Sequence, residues 1–278
     1  MLAAESYALA FTLARVDNLT LSGVTFLSPA SLEGALMDDS QPERPGLLAE
    51  FDAGPGQSIL PEVHVVLRLE GDRFGRLRAR PELQMESPFD ARFGKWVIQV
   101  ASALLQEHPQ ARFAYLGDDE ISFLFGRGAE GFGPGGFRFA MRLAAEASGR
   151  LSLLVGQVAT YGPKVFQLPT EDWVVRYFAW RQAVILSQSV DRYCRAALTQ
   201  SGLDEAAGRR VLAGLSDDEK LEVLSEQGID FAATPTWQRR GVLVWRKPGA
   251  EGSSTLVIDT ELPDGEAFER FVRRIAAT

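Results

Sequence analysis

The stretch VHVVLRLEGDRF, residues 63–74, decides the fold, because it carries an acidic side chain from an apolar strand into a glycine turn. Its β-prone residues alternate with a period of two, which predicts a strand that ends at Glu70. Gly71 follows at once, and a glycine lets the backbone turn and approach a ligand closely. The stretch therefore predicts a carboxylate and a backbone carbonyl at one end of a sheet.

A second stretch, FAYLGDDEISFLF at residues 113–125, predicts a hairpin that turns near Gly117 and Asp118. Asp119 and Glu120 would open its return strand. Mg²⁺ prefers one or two carboxylates together with waters and phosphate oxygens. Side by side, the two strand ends would form a site for Mg²⁺ and phosphate. Because turns favour Asp and Gly, the same residues are also typical of an ordinary solvated turn.

The composition limits the kinds of site that the chain can build. The 278 residues carry a net charge of -8, which argues against a generic nucleic-acid binder. A single cysteine, Cys194, permits no intramolecular disulfide and no thiolate metal cluster. The two histidines leave little room for a zinc site or a histidine-based triad.

Two runs of basic residues are compatible with RNA contact or with a solvated surface. The first contains Arg68, Arg73, Arg76, Arg78 and Arg80, and the second contains Arg239, Arg240, Arg246 and Lys247.

The amino-terminal residues lack the positive region and the uninterrupted apolar run of a signal peptide. No segment approaches the roughly 18 uncharged apolar residues that a membrane helix needs. These patterns favour a cytoplasmic protein without a membrane partner.

Between the two acidic stretches, Ser87 and Pro88 predict a helix start with Ser87 as the N-cap. A helix is expected over about 137–149, and residues 151–168 predict one or two strands that Gly162-Pro163 interrupts. The longest helix is expected from the Pro169 region to about Gln200, with Thr170 as its cap.

The remaining pattern predicts a capping box at Ser216, a strand over 241–245 and an amphipathic helix over about 264–276. The order of elements suggests an α+β fold: a ferredoxin-like βαββαβ sheet with helices on one face and an added carboxy-terminal helical region. Residues 1–47 would form an extension and linker, 48–170 the central domain, and 171–278 a region that completes the same domain.

Several segments together resemble the tRNA-histidine guanylyltransferase family and its 3′-to-5′ polymerase relatives. Glu-Gly-Asp-Arg-Phe at 70–74 resembles the family's Asp-Gly-Arg-Asn-Phe, and Asp-Asp-Glu-Ile-Ser at 118–122 resembles its Ser-Asp-Glu-x-Ser. Val-Phe-Gln-Leu-Pro at 165–169, Tyr-Phe-Ala-Trp-Arg-Gln at 177–182 and Pro-Thr-Trp-Gln-Arg-Arg-Gly at 235–241 follow in the family's order.

The resemblance implies a polymerase-palm fold and an Mg²⁺-dependent nucleotidyltransferase that adds nucleotides to the 5′ end of tRNA or a tRNA-like RNA. ATP and GTP would be substrates, two Mg²⁺ ions cofactors, and a homo-oligomer, a tetramer by analogy, the assembled form. Glu70 and Asp119 would be catalytic and would hold the metal ions with the Gly71 carbonyl.

The same resemblance implies the remaining site residues. Those expected to bind nucleotide are Gly71, Asp72, Arg73, Phe74, Gly75, Asp118 and Arg138. Those expected to contact triphosphate or RNA are Arg181, Gln182 and Arg239.

Departures from the family pattern indicate a divergent member. Glu70 stands where the family has Asp, Asp72 where it has Arg, and Asp118 where it usually has Ser. Two alternatives therefore stay open. One is a catalytically degenerate palm that binds nucleotide or RNA as a regulatory or scaffolding protein. The other is a cyclase-like enzyme that uses nucleotides without RNA.

Overall fold

The structure, a computed structural model, describes residues 52–53, 59–60, 62–129, 136–249 and 253–277. Its strands are β1 (Asp52–Ala53), β2 (His64–Asp72), β3 (Ala111–Leu116), β4 (Glu120–Phe125), β5 (Thr160–Leu168), β6 (Val242–Pro248) and β7 (Ser254–Asp259). Its α-helices are α1 (Phe74–Arg78), α2 (Ala91–Glu107), α3 (Gly136–Val155), α4 (Glu171–Gln200), α5 (Glu205–Leu212), α6 (Asp217–Glu226), α7 (Thr236–Arg240) and α8 (Gly265–Ala277). Short 3₁₀ helices span Pro81–Leu83 and Phe231–Ala233.

The strands form one antiparallel sheet in the order β1-β5-β2-β4-β3-β6-β7. Its four central strands follow the chain as β2-α2-β3-β4-α3-β5, which is the predicted βαββαβ plan. The α+β ferredoxin-like prediction is therefore confirmed. Strand β2 lies in the middle of the sheet because its apolar residues are buried on both faces.

The alternation of β2 divides the core into two layers. Val65, Leu67 and Leu69 face α2 and α3, whereas Val66 lies in a second apolar cluster with residues of α4 and α8. The carboxy-terminal helices thus cover the second face of the sheet. The later half of α4 also carries a third small cluster with α5 and α6.

Most of the predicted elements are present. The hairpin at 111–125, the long helix capped by Thr170 and ending at Gln200, and the capping box at Ser216 are confirmed. The carboxy-terminal helix also lies where it was expected. The predicted extension and linker over residues 1–47 lie outside the described residues.

Three predictions of local structure were wrong. Asp90, not Ser87, caps α2, because its carboxylate accepts hydrogen bonds from the backbone N–H groups of Arg92 and Phe93. Residues 151–155 continue α3 instead of forming a strand. Leu151 and Val155 are one turn apart and both buried, so packing on the sheet overrides their local preference.

Pro163 does not interrupt its strand, because it lies within β5 opposite Leu69. Among the described residues, strand β1 pairs with Val165 and Phe166 of β5. Strand β7 was not predicted.

Candidate active site

The two acidic stretches meet at one end of the sheet. Glu70 lies directly opposite Glu120 in the β2–β4 register. The Gly71 N–H donates a hydrogen bond of 2.7 Å to the carbonyl oxygen of Asp119. The end of β2 and the β3–β4 turn are therefore joined by backbone pairing, and the acidic residues of both segments share one small region.

Glu70 is held between two cationic side chains. Its Oε1 atom lies 2.5 Å from Arg68 Nη2, and its Oε2 atom lies 3.2 Å from Lys164 Nζ on β5. Burial alone would raise the pKa of Glu70, but the charges of Arg68 and Lys164 outweigh it and lower the pKa. Glu70 is therefore a carboxylate at neutral pH.

Arg68 is itself buried, next to the Glu70 carboxylate. Its guanidinium lies over the rings of Phe166 and Trp180, at 5.2 and 5.5 Å from their centroids. Such stacking on aromatic faces suits a weakly hydrated guanidinium. Arg68 therefore places a permanent positive charge beneath Glu70.

Asp118 and Asp119 form a compact group with Arg78 and Arg192, which we call the aspartate–arginine quartet. Arg78 donates hydrogen bonds to both oxygens of Asp119, one of them at 3.1 Å, and its Nη1 atom lies 2.9 Å from Asp118 Oδ2. Arg192, on α4, forms a close ion pair with Asp118 and lies 3.8 Å from Asp119 Oδ1. Two carboxylates thus face two guanidinium groups.

The quartet separates the proton affinities of its two aspartates. Burial raises the pKa of Asp118 to about 6, an effect that Arg192 opposes and the neighbouring Asp119 charge reinforces. Burial also acts to raise the pKa of Asp119, but the charge and hydrogen bonds of Arg78 outweigh it and lower the pKa to about 2. Asp119 is therefore the member that stays ionised under all ordinary conditions.

Glu120 lies deeper than the other carboxylates and has a different partner. Arg181 donates hydrogen bonds to both of its oxygens, one of them at 2.8 Å, and both side chains are buried. Arg181 was predicted to contact triphosphate or RNA. Its guanidinium is engaged inside the protein, and that contact stays a prediction. Gln182 carries the same expectation, and its Nε2 donates to the carbonyl of Pro263 at 3.0 Å.

The turn after β2 is shaped by Gly71 and Phe74. A Cβ atom on Gly71 would lie 2.4 Å from the Phe74 ring, so only glycine fits there. Phe74 is 1% exposed and packs edge-on against Phe93 and Tyr161. Phe74 was expected to line a nucleotide pocket, but its ring belongs to the core and supports the turn instead.

The neighbouring residues of this turn face solvent. Arg73 adopts a φ of 54°, which is uncommon for a residue with a side chain, and lies 3.7 Å from Asp72 as a loose ion pair. Asp72, Arg73 and Gly75 are exposed at the rim beside the carboxylates. Because these side chains and Gly75 are accessible, they are free to contact nucleotide. Their expected contact with nucleotide stays a prediction.

Two further predicted residues lie on other helices. Arg138 is exposed near the start of α3, whereas the carboxy-terminal end of α3 leads into Thr160, which pairs with Asp72. The expected nucleotide contact of Arg138 stays a prediction. Arg239 donates from Nε to the carbonyl of Thr234 at 3.1 Å and is partly buried.

Most of the cationic side chains that surround the carboxylates were not predicted from the sequence to be site residues. Arg78 was seen only as part of a basic run, and Lys164 was not predicted to lie at the site. Arg192 lies mid-helix, where no local signal marks it. Tyr161 was also missed. Its buried hydroxyl has no hydrogen-bond partner in the described structure, and burial together with the charges of Asp119 and Asp118 raises its pKa.

Mg²⁺ is the metal that the resemblance implies, and the oxygen donors at this edge fit it by type and position. The side chains of Glu70 and Asp119 are 38% and 43% exposed and extend from adjacent backbone segments. Within the described ranges, no group of three or more His, Cys, Asp or Glu side chains forms a metal cage. Mg²⁺ usually takes one or two carboxylates and completes its shell with waters and substrate phosphates, so this small donor set suffices.

Comparison with known proteins supports the resemblance. Residues 48–175 match the family described as tRNAHis guanylyltransferase (Thg1). tRNA(His) guanylyltransferase 2 of Arabidopsis thaliana is 27% identical over 204 residues, which are 70% of this chain and 38% of that protein. The probable tRNA(His) guanylyltransferase of Drosophila melanogaster is 25% identical over 68% of this chain and 69% of that protein. The chain thus spans little more than a third of the length of the Arabidopsis relative.

Solved structures show the same fold. A bacterial tRNA(HIS) guanylyltransferase (Thg1)-like protein in complex with ATP matches 80% of this chain and 93% of its own length, with a TM-score of 0.65 and 20% identity. The tRNA(His) guanylyltransferase of Saccharomyces cerevisiae matches 78% of this chain and 96% of its own length, with a TM-score of 0.61 and 20% identity. Residues 48–175, which hold Glu70, Gly71 and Asp119, are thus similar to the tRNA-histidine guanylyltransferase family, and these solved structures share the fold of this chain.

Proposed function

We propose that this protein is an Mg²⁺-dependent nucleotidyltransferase of the 3′-to-5′ polymerase type, which adds nucleotides to the 5′ end of tRNA or a tRNA-like RNA. ATP and GTP are its proposed substrates. The observation that carries the proposal is the meeting of Glu70 and Asp119 at one edge of a palm-like sheet. The match of residues 48–175 to the tRNA-histidine guanylyltransferase family supports the same conclusion.

In this proposal Glu70, Asp119 and the carbonyl of Gly71 hold the metal ions. When bound, Mg²⁺ neutralises charge that develops on the phosphoryl group and activates the attacking oxygen. The protein contributes position and positive charge, since Lys164, Arg78 and Arg192 all lie at this edge of the sheet. These three side chains are the proposed partners of the phosphates.

The proposed reaction extends the RNA at its 5′ end. A 5′-phosphate oxygen of the RNA first attacks the α-phosphorus of ATP, and pyrophosphate leaves. The 3′-hydroxyl oxygen of the incoming nucleotide then gives its proton to solvent and attacks the activated 5′ phosphorus. A new oxygen–phosphorus bond forms, and AMP leaves with the electrons of the broken bond. The exposed Arg73 and Arg76 next to the site are proposed to contact the RNA backbone.

The test is incorporation of labelled GTP in the presence of Mg²⁺ and ATP, with tRNA transcripts that are intact or lack their first nucleotide. We expect label at the 5′ end with the wild-type protein and none with Asp119→Asn. Glu222→Gln, an exposed substitution on α6, is the matched control and should incorporate label at the wild-type rate. Absence of label with every transcript would contradict the proposal.

A second candidate function is a catalytically degenerate palm that binds nucleotide or RNA as a regulatory or scaffolding protein. One observation favours it, namely that each carboxylate of the site already faces a cation. Glu70→Asp distinguishes the two candidates. An enzyme adapted to Glu70 should lose or alter incorporation in this variant. A degenerate palm should show no incorporation in either form while calorimetry still detects nucleotide binding.

We also propose a cytoplasmic homo-oligomer, a tetramer by analogy with the family. Among the described residues, no helix is long and apolar enough to cross a membrane. Light scattering coupled to size-exclusion chromatography tests the assembly, and a mass of one chain would contradict it.

A further inference from the structure

The aspartate–arginine quartet closes the site that the metal would enter. Both oxygens of Asp119 accept hydrogen bonds from Arg78, which also lies 2.9 Å from Asp118. Such a fork engages one lone-pair direction on each carboxylate oxygen and sets a guanidinium charge against the carboxylate. Arg78 therefore opposes metal binding at Asp119 while it keeps this position.

The two arginines are built into the fold. Arg78 is 14% exposed and lies over the Phe93 ring at 5.2 Å, while Arg192 is 23% exposed and lies over the Phe89 ring at 4.8 Å. Both aromatic rings belong to the segment that begins α2. Stacking of this kind fixes a guanidinium more firmly than a solvated surface ion pair does.

Charge balance indicates what can open the quartet. Two aspartates and two arginines are together close to neutral, so a divalent cation alone would enter against two nearby guanidinium groups. A triphosphate is a multiply charged anion, and arginine binds phosphate oxygens with the same fork that it offers to a carboxylate. The arriving phosphates can therefore exchange places with Asp119 as partners of Arg78.

We propose that Arg78 is a latch on the metal site: it holds Asp119 in the nucleotide-free chain and passes to the triphosphate when nucleotide binds, which frees Asp119 for the metal ion. Metal binding at Asp119 then requires the triphosphate. The inference rests on the proposed function, because it concerns the same site. Arg78 thus acts on the metal site through Asp119, in addition to its proposed contact with the triphosphate.

The latch predicts opposite effects of one substitution on two binding reactions that involve no turnover. Arg78→Ala removes the competing cation, so Mn²⁺ alone should bind at least about tenfold more tightly than to the wild-type protein. The same variant loses a phosphate partner, so inorganic triphosphate in the presence of EDTA should bind about tenfold more weakly. A purely structural role would weaken both reactions together.

Mn²⁺ binding is measured by the loss of the free-ion signal in electron paramagnetic resonance, and triphosphate binding by calorimetry, both on the full chain. Lys95→Ala is the control for loss of a positive charge, since Lys95 is exposed on α2, and it should leave the Mn²⁺ affinity unchanged. The double variant Arg78→Ala, Asp119→Asn should lose the gained Mn²⁺ site. Arg78→Lys keeps the charge without the planar fork, so its Mn²⁺ and triphosphate affinities should lie between those of the wild type and Arg78→Ala. This variant keeps the proposal testable if Arg78→Ala does not fold.

Two results would overturn the latch. One is stoichiometric Mn²⁺ binding to the nucleotide-free wild-type protein with the affinity of Arg78→Ala. The other is triphosphate binding that Arg78→Ala leaves unchanged. Failure of the proposed function is distinguishable, because an inactive palm would show no GTP incorporation while both binding reactions still responded in opposite directions.

Discussion

Arg181 and Glu120 form a buried ion pair between the long helix α4 and strand β4. The Nε atom of Arg181 donates to Glu120 Oε1 at 2.8 Å, and Nη2 donates to the other carboxylate oxygen. Arg181 is 5% exposed and Glu120 8%. The pair joins the helix layer to the sheet just beneath the exposed carboxylates, so its first role is to fix α4 against the hairpin.

Arg181→Ala should therefore destabilise the fold by about 3–5 kcal/mol, because it leaves the Glu120 charge buried without a partner. Urea unfolding followed by circular dichroism measures this loss. The double variant Arg181→Met, Glu120→Gln removes both charges and should recover much of the stability. A loss below about 1 kcal/mol for Arg181→Ala would mean that water or another cation replaces the arginine.

Gly71→Ala should destabilise the protein by about 1–3 kcal/mol, because the new Cβ would lie 2.4 Å from the Phe74 ring. The ring cannot move aside easily, since it is packed between Phe93 and Tyr161. Gly75→Ala is the matched control. Nothing lies within 4 Å of a Cβ at Gly75, which is part of α1, so that variant should be neutral or slightly stabilising.

The measurement for this pair is again the free energy of unfolding in urea. A second substitution tests the cause of the loss: Phe74→Leu in the Gly71→Ala background should restore part of the stability by making room. Equal effects of the two glycine substitutions would contradict a steric role for Gly71.

The sequence was informative wherever one local pattern controls the structure. The alternation before Glu70 predicted β2 and the residues at 117–119 predicted the hairpin turn, because strand period and turn chemistry are local properties. The strand end was placed at Glu70, whereas β2 continues through Gly71 to Asp72. The helix start at residues 87–90 was misplaced, since Ser87 and Asp90 are both good caps and only tertiary packing selects Asp90.

The partners of the carboxylates could not be predicted in the same way. Arg78 and Asp119 are 41 positions apart in the sequence, and Arg181 and Glu120 are 61 positions apart. An arginine in a helix has no pattern that tells whether it will point to solvent or to an acid on a distant strand. The family resemblance led to the expectation that Arg181 contacts ligand, whereas Arg78 was seen only as part of a basic run and Arg192 was not identified.

Asp90→Asn should remove a stabilisation that depends on pH. Burial alone would raise the pKa of Asp90, but hydrogen bonds from Arg92 and from the backbone of Glu86, Phe93 and Arg92 outweigh it and lower the pKa to about 2. Because the folded-state pKa is lowered, the contribution of the carboxylate is complete above the unfolded value of 3.8 and is lost as the pH falls through about 2.

The expected difference between wild type and Asp90→Asn is about 1–2 kcal/mol at pH 7, from the helix cap and the charged hydrogen bonds together. It should shrink to less than half of that value near pH 2.5. Urea unfolding of both proteins at pH 7, 4 and 2.5 measures the difference. A difference that stays constant over this range would show that the charge of Asp90 contributes nothing.

Tyr161→Phe should leave the free energy of unfolding unchanged or raise it by up to about 1 kcal/mol. The Tyr161 hydroxyl is buried without a hydrogen-bond partner in the described structure. Its removal therefore eliminates a desolvation cost that no hydrogen bond offsets. Tyr177→Phe is the matched control on the other face of the sheet. Its hydroxyl lies 3.2 Å from Ser122 Oγ, and its removal leaves a buried partner unsatisfied, at a cost of about 1 kcal/mol or more.

The same two variants separate stability from a role in ligand binding. Burial and the charges of Asp119 and Asp118 raise the pKa of Tyr161, so its hydroxyl stays protonated and keeps a proton to donate next to the quartet. If bound phosphate supplies the missing acceptor, Tyr161→Phe should weaken triphosphate binding in calorimetry although the protein is no less stable. Tyr177→Phe should show the reverse, with reduced stability and unchanged triphosphate affinity in the folded protein. A loss of stability in Tyr161→Phe equal to that in Tyr177→Phe would instead mean that the Tyr161 hydroxyl already has a partner in solution, such as an ordered water.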